Sequence, residues 1–396
     1  MITYNVKIKT NDSDFLKQNL REIQSCYNFI SDIIFENLKT KKSFSFKEIH
    51  HMVYFPARSN FPKLHSKIII RLERQVYGNY KSCKSNKHEI ETAIKSKTLS
   101  LRLDKDLMSR LTQKSIDLYS STKNKRVTAQ FVLYDKVIDM LEKYPVSAPT
   151  LFERKGELFL SLPFILPEPT IKDDTVLGID RGIRRLVATS DGLIVKGTEF
   201  QFHKRKQNYL KRCLQSKGTK SARRHLKKVR CKQRTFAKNY CNLVANEILQ
   251  TDKSVLVLEN LKHIKQKTSK NSLDLKRTSH NRMFSQIPLF LLQNILTYKA
   301  QLVGKQVATV SPHNTSQMDC RGLKNGNRVG CRYNAVDGRQ LDADINAGVN
   351  IANRYLKHPL SCYPNEIRLR GRLFVNQPIV AGVLTQPQAP TLARCN

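Results

Sequence analysis

The chain has 396 residues, 40% of them hydrophobic, which is enough to bury cores in two or three domains and excludes wholesale disorder. Its 70 Lys and Arg against 32 Asp and Glu leave a formal charge of +38, self-repelling unless a polyanion such as nucleic acid neutralises it. No stretch reaches the roughly 18 apolar residues of a membrane span, and the nine cysteines form no CxxC pair, which points to a reducing cytosol and away from a disulfide framework.

The first residues read as a strand and not as a signal peptide, because Tyr4, Val6 and Ile8 alternate with polar residues. Asn11-Asp12-Ser13-Asp14 offers helix N-caps. Behind it Leu16, Leu20, Ile23, Tyr27, Ile30, Ile34 and Leu38 recur at the spacing of an amphipathic helix. Further helical sequence with little pattern runs to about Lys97. Alternation returns at Leu99, Leu101 and Leu103 and from Val127 to Tyr134, and Leu151 to Leu162 reads as a hairpin turning at Lys155-Gly156. Pro163, Pro167 and Pro169 then break the chain and mark a domain boundary. Residues 1–10 and 97–169 thus form a β-domain, interrupted by a helical insertion over residues 11–96.

The second half is patterned differently. Val176 to Asp180 is a buried strand ending in a carboxylate, and Arg185 to Thr189 and Leu193 to Lys196 make a hairpin around Ser190-Asp191-Gly192. From Phe200 to Asn246 there is no acid, while Lys and Arg crowd the segment. A solvated helix face gains from i,i+4 pairs of opposite charge, which this segment lacks, so phosphate contact is its better explanation. The residues assigned to that contact are Lys204, Arg205, Lys211, Arg212, Arg223, Arg224, Lys227, Lys228 and Arg230 within a basic helical arm at 200–250. Tyr209 and Phe236 stack on bases or simply pack. Val255 to Leu258 is a second apolar strand, ending in Glu259. A basic stretch from Lys262 to Arg282 leads to an apolar helix from Pro288 to Ala300 and a strand from Gln306 to Val310. After a glycine-rich loop, Asp344 opens a last helix whose Ala347, Gly348 and Ile351 share its face and let it lie close to a sheet. The tail, residues 357–396, reads as extended or disordered.

Asp180, Glu259 and Asp344 are each open to a plain reading as a turn or cap residue. Together, in so basic a chain, three acids delivered by three elements suit a hard cation, Mg²⁺ or Mn²⁺. Two such ions about 3.5–4 Å apart would stabilise the attacking and leaving oxygens of a phosphodiester.

Gly178-Ile179-Asp180-Arg181-Gly182 and the following Leu186 to Gly192 resemble the first RuvC motif of the TnpB (OrfB) proteins of insertion sequences, relatives of the type V CRISPR effectors. Val257 to Leu261 resembles the second motif; Asn314-Thr315-Ser316-Gln317 and Asp344 to Ala347 with Asn350-Ile351 resemble the third and its approach, and Tyr298-Lys299-Ala300 falls where that family has this tripeptide. The resemblance implies an α/β and α+β multidomain protein. An RNase H-like (RuvC) nuclease domain at residues 170–356 would follow a wedge-type β-domain with a helical recognition insertion. It implies a transposon-associated, RNA-guided DNA endonuclease, with Asp180, Glu259 and Asp344 as catalytic metal ligands and Asp342 as a neighbour only. It also implies a guide RNA from the same element and a double-stranded DNA target as partners, no membrane, and a cytoplasmic, nucleoid-associated place in a prokaryote. The alternatives are an RNA-guided DNA-binding regulator without cleavage and a transposase acting in recombination; a basic RNA-packaging protein is a further reading of the charge. One departure concerns the zinc ribbon at 311–343. Its first cysteine pair falls on Asp319 and Gly322 and its second on Asn334 and Asp337, leaving Cys320 and Cys331 unpaired, so the loop reads as zinc-free.

Overall fold

A computed structural model describes residues 1–40, 45–86, 88–97, 100–104, 107–119, 126–170, 175–261, 288–323, 325–357 and 368–370. The chain divides into two compact units, Met1–Pro167 and Glu168–Asn396.

The first unit is built on a seven-stranded antiparallel sheet in the order β2-β6-β7-β1-β5-β4-β3. Its strands are β1 (Ile2–Lys9), β2 (Ser100–Arg102), β3 (Met108–Leu111), β4 (Ser115–Tyr119), β5 (Arg126–Val132), β6 (Thr150–Arg154) and β7 (Glu157–Phe164). Between β1 and β2 lie α1 (Ser13–Thr40), α2 (Phe46–Asn60) and α3 (Ser66–Ser85). On α1 the apolar stripe is buried from Leu16 to Ile34. At the start of α2, Ser45 and Glu48 satisfy each other's backbone donors in a capping box. Lys155 and Gly156 both have positive φ, the backbone that a two-residue hairpin turn requires and that glycine adopts without strain.

Several expectations change here. Helix stops at Ser85, and residues 88–97 have no regular structure, because side chains of α1 take up their backbone groups: Gln24 donates to the Ser96 carbonyl at 2.7 Å, Ser96 N–H donates to Asn28 Oδ1 at 2.9 Å, and Ser31 Oγ donates to the Ile94 carbonyl at 2.8 Å. Pro163 does not break the chain; it lies within β7 opposite Thr3, and its carbonyl accepts from Ser147 N–H at 2.7 Å. A helix α4 (Asp135–Lys143) and the β3–β4 pair were not foreseen; α4 is only nine residues and buries two of them, Val137 and Met140. Leu99 lies outside the described residues.

The second unit carries a six-stranded sheet in the order β12-β11-β8-β9-β10-β16. The strands are β8 (Val176–Asp180), β9 (Arg185–Thr189), β10 (Leu193–Lys196), β11 (Val255–Glu259), β12 (Gln306–Val310) and β16 (Arg368–Arg370). Strands β8, β11 and β12 are parallel, and β9 runs against both β8 and β10. The period of two divides each central strand between two cores. Leu177, Ile179, Leu256 and Leu258 pack with Tyr240, Val244 and Ile248 of α6 (Lys220–Leu249) and with Leu292, Ile295 and Leu296 of α7 (Leu289–Leu302). Val176, Val255 and Val257 face the other way, onto Ile351 and Ala352 of α8 (Ala343–Leu356). A long basic helix, α5 (Thr198–Lys217), precedes α6 and packs against it.

The closest approach in this unit is between backbones. A Cβ at Gly178 would collide with the Gly348 carbonyl oxygen and stand 2.7 Å from Ala352 N, and one at Gly348 would meet Ser190 N at 3.1 Å. Helix α8 therefore lies directly on the β8–β9 pair, the arrangement its small residues predicted. Within residues 311–343 the loop forms a small antiparallel sheet, β13 (Asn327–Val329), β14 (Arg332–Asn334) and β15 (Gln340–Asp342), which its sequence had not suggested. In the tail, β16 pairs in parallel with β10. The basic stretch from Lys262 to Arg282 and the remaining tail beyond Lys357 lie outside the described residues.

Candidate functional site

Parallel register pairs Ile179 with Leu258, so the next residues, Asp180 and Glu259, stand side by side at the ends of two central strands. Helix α8, held on the same strands by Gly178 and Gly348, brings Asp344 to that rim from its first turn. Asp180 lies within the field of the other two. The Asp180 carboxyl is pushed up to about 7 by burial first and then by the charges of Glu259 and Asp344, with Arg328 opposing. The Glu259 carboxyl is raised by burial, against a hydrogen bond from Thr315 and the charges of Arg181 and Arg354.

The neighbours of these acids went unassigned in the sequence. Arg181 is buried and gathers the strand ends: Nη2 donates to the Glu259 carbonyl at 2.6 Å, and Nη1 donates to the Leu289 carbonyl at 3.2 Å and to Gln293 Oε1 at 3.1 Å. Burial lowers its guanidinium to about 10, and Glu259 and Asp180 pull it back up. The Thr315 hydroxyl donates to Glu259 Oε1. Arg328 of β13 donates through Nη2 to Asp344 Oδ1 at 2.5 Å, and Arg185 Nη1 stands 3.4 Å from Asp344 Oδ2. The N-cap of α8 is Asp342 and not Asp344; its Oδ1 accepts from the backbone of Asp344 at 3.1 Å and of Ile345 at 3.2 Å, and Arg185 pairs with it at 2.5 Å. Asp344 is thereby relieved of capping.

The asparagines of the last motif fasten the loop. Asn346 Nδ2 donates to the Met318 carbonyl at 2.8 Å while its Oδ1 accepts from Cys320 N–H at 2.9 Å. Asn350 donates to the carbonyls of Thr315 at 2.9 Å and Met318 at 2.7 Å, and Asn353 to that of Cys320 at 2.9 Å. These bonds explain why amides sit on an otherwise apolar, buried helix face.

Three carboxylates on adjoining elements are the donor chemistry of a hard divalent cation, and the repulsion that raises Asp180 is what such a cation would relieve. As the side chains stand, no three His, Cys, Asp or Glu among the described residues are grouped to hold a metal ion, with Glu259 engaged by Thr315 and Asp344 by Arg328. Zinc does not fit the loop. Cys320 is a core side chain packed with Ala188, Ile194, Ile345 and Val349, its thiol pushed up to about 11 chiefly by burial. Arg321 instead links the two acids at ribbon positions: it donates to Asp319 at 2.8 and 3.0 Å and to Asp337 at 2.7 and 3.2 Å.

The basic arm is a helical pair, α5 and α6, with Arg205, Arg212, Arg223, Arg224, Lys227, Lys228 and Arg230 exposed. Lys204 and Lys211 are less exposed than the rest of that set. Both are half-buried, Lys211 donates to Gln233 of α6, and burial lowers the ammonium of each below its ordinary range. Phe236 packs, its ring stacked on His203 at 3.8 Å and near Phe200 at 5.8 Å, whereas Tyr209 faces solvent. Among the described residues no helix is long and apolar enough to cross a membrane.

Residues 291–351, which include most of α7, β12, the loop and the start of α8, match the family profile described as Cas12f1-like, TNB domain. The chain is similar in fold to a solved structure, the cryo-EM structure of a Cas12f1–sgRNA–target DNA complex, with a TM-score of 0.54 over 87% of this chain and 82% of that one. Identity is 16%, so the likeness is one of fold: mixed α/β and multidomain. No curated protein sequence matches.

Proposed function

We propose that the chain, a relative of the TnpB-like and type V effector proteins, is an RNA-guided endonuclease that hydrolyses DNA phosphodiester bonds with divalent metal ions. The observation that carries the reading is that Asp180 and Glu259 end adjacent parallel strands while Asp344 lies in the first turn of the helix packed on them. The strand order β10-β9-β8-β11-β12 with β9 reversed supports the RNase H-like assignment of the second unit, and the first unit's sheet with its inserted helices supports the wedge and recognition assignment. The solved relative holds an sgRNA and target DNA, which supports the same partners here.

On this reading the three carboxylates hold the ions, which when bound polarise the phosphate and activate a water. Arg181 fixes the ends of β8 and β11 against α7, Thr315 orients Glu259, and Asp342 caps α8 so that Asp344 does not have to. The exposed cations of α5 and α6 hold phosphates without reading sequence. The guide is a transcript of the element that encodes the protein, and pairing supplies specificity.

The test is to load the purified protein with a reprogrammed guide and follow where DNA is cut. Cleavage should move to the matching sequence and stop on RNase treatment. Cleavage that stays in place or survives RNase would leave the hydrolytic chemistry and remove the guide. A second reading, guided binding without cleavage, is favoured by the engagement of Asp344 with Arg328 and Arg185. Binding that follows the guide, with no cutting in Mg²⁺ or Mn²⁺, would select it.

A further inference from the structure

Helix α5 turns a narrow stripe to solvent: Phe202, Arg205, Lys206, Tyr209 and Arg212 are all exposed. Their spacing of three, four and seven residues keeps them on one side of the helix. Phe202 is 72% exposed and Tyr209 67%, among the largest apolar exposures in the chain. Neither has a ring or cation partner among the described residues, although Phe200 and Phe236 of the same hairpin are stacked inside. One exposed ring is ordinary. Two rings seven residues apart, with guanidinium and ammonium groups between and beyond them, repeat a pattern of flat apolar face and positive charge.

We infer that this stripe binds single-stranded nucleic acid, with Phe202 and Tyr209 stacking on bases and Arg205, Lys206 and Arg212 holding the phosphates between them. The charges select the occupant. A second copy of the chain would bring like charges against like, whereas a polyanion neutralises them. The rings select its state. A base in a duplex already has both faces covered by its neighbours, and a base in a single strand has a face to give. The rings lie about 10 Å apart along the axis, at ~1.5 Å per residue, so each takes its own base. The inference rests on the proposed nucleic-acid function and goes beyond it by fixing the residues and the strandedness.

The experiment uses the full chain freed of nucleic acid. The probes are a mixed-sequence single-stranded oligodeoxynucleotide, the same sequence as RNA, and the DNA duplex, each titrated at several salt concentrations. Phe202→Leu with Tyr209→Leu should weaken binding of one or both single strands by about fivefold or more for each ring lost, with the salt slope unchanged and duplex affinity within about twofold. The single-stranded probe that responds identifies the strand held. Arg205→Gln with Arg212→Gln should instead lower the single-strand slope by about 0.7 for each contact removed. Equal losses on single strand and duplex, or no loss on either single strand, would overturn the inference while leaving a nucleic-acid-binding protein. A wild-type dimer that the ring-less variant converts to monomer would assign the stripe to self-association and overturn it too. Failure of the wild type to bind any of the three probes would remove the functional reading itself.

Discussion

Arg328 and Asp344 are joined by a 2.5 Å hydrogen bond between a strand of the small loop sheet and the first turn of α8, while no ion pair to Asp180 is found among the described residues. The two acids therefore differ in their partners. The helix-borne carboxylate is paired with a guanidinium, and the strand-borne one is held up by burial first and then by the charges of Glu259 and Asp344.

Loss of any one acid should end catalysis. On the proposed function, Asp180→Ala, Glu259→Ala and Asp344→Ala should each reduce Mg²⁺-dependent cleavage to background, since a missing ligand would misplace both ions and the water. Nucleic-acid affinity, which comes mostly from Lys and Arg on phosphates, should stay within about twofold. Gel-based cleavage beside a binding isotherm measures both. Full cleavage by one variant would remove that residue from the site.

The raised Asp180 carboxyl makes a pH prediction. Its ordinary value is 3.8 and its folded value about 7, so between these the folded chain binds a proton that the unfolded chain does not. Stability from this group is fullest below pH ~4 and is lost as pH rises through 7. In metal-free buffer at pH 8, Asp180→Asn should melt higher than wild type by roughly 3–6 °C, the shift produced by ~1–2 kcal/mol in a domain of this size. Mg²⁺ should raise the wild-type melting temperature and leave that of the variant nearly unmoved. A variant that melts below wild type at pH 8 would contradict the origin given for the shift.

Neutralising Arg223, Arg224, Lys227 and Lys228 should weaken binding at every DNA sequence alike. Each lost phosphate contact should flatten the log–log salt plot by about 0.7–0.9, depending on strandedness. The same change at Lys211 should alter the slope less, because that ammonium is already given to Gln233. An unchanged slope for the four-residue variant would show those cations to be merely solvated.

Arg321 ties Asp319 to Asp337, which stand at two of the four positions where a zinc ribbon of this spacing would have cysteines. Arg321→Gln should speed amide exchange across residues 315–342 without changing metal content. Elemental analysis of the purified wild type should find zinc well below one per chain. One zinc per chain would mean ligands outside this loop geometry.

Gly178→Ala tests the backbone contact. The added methyl meets carbonyl and amide groups of α8 and not a movable side chain, so the cost should exceed ~3 kcal/mol, at the upper end for overpacking. Denaturant unfolding of the variant reads it. A loss under ~1 kcal/mol would show that α8 can be displaced cheaply.

The sequence made some of this legible for identifiable reasons. Strands β8 and β11 announce themselves because both faces are buried, giving unbroken apolar runs with an acid at the end. The α8 contact could be read from Ala347 and Gly348, since small residues have few other reasons to share a buried face. Strands β13 to β15 could not be read, because β13 is wholly exposed and its residues carry no alternation. Arg181, Thr315 and Arg328 went unassigned because their partners are 78, 56 and 16 residues away, at separations set by topology and not by local spacing. The partial burial of Lys204 and Lys211 could not be read for a related reason. A run without acids says that charge is present, but the packing of α5 on α6 decides which cations reach water.

Asn346, Asn350 and Asn353 bind the segment from Thr315 to Cys320 to the helix that carries Asp344, and Thr315 in turn holds Glu259. Helix and segment are thus joined into one hydrogen-bonded part. Any excursion that lifts α8 from Gly178 takes Asp344 away and in the same motion strips Glu259 of its hydroxyl donor. A partly docked α8 would therefore leave the two strand-end acids facing each other without the Thr315 hydroxyl donor and without the Arg328 charge that Asp344 anchors beside them.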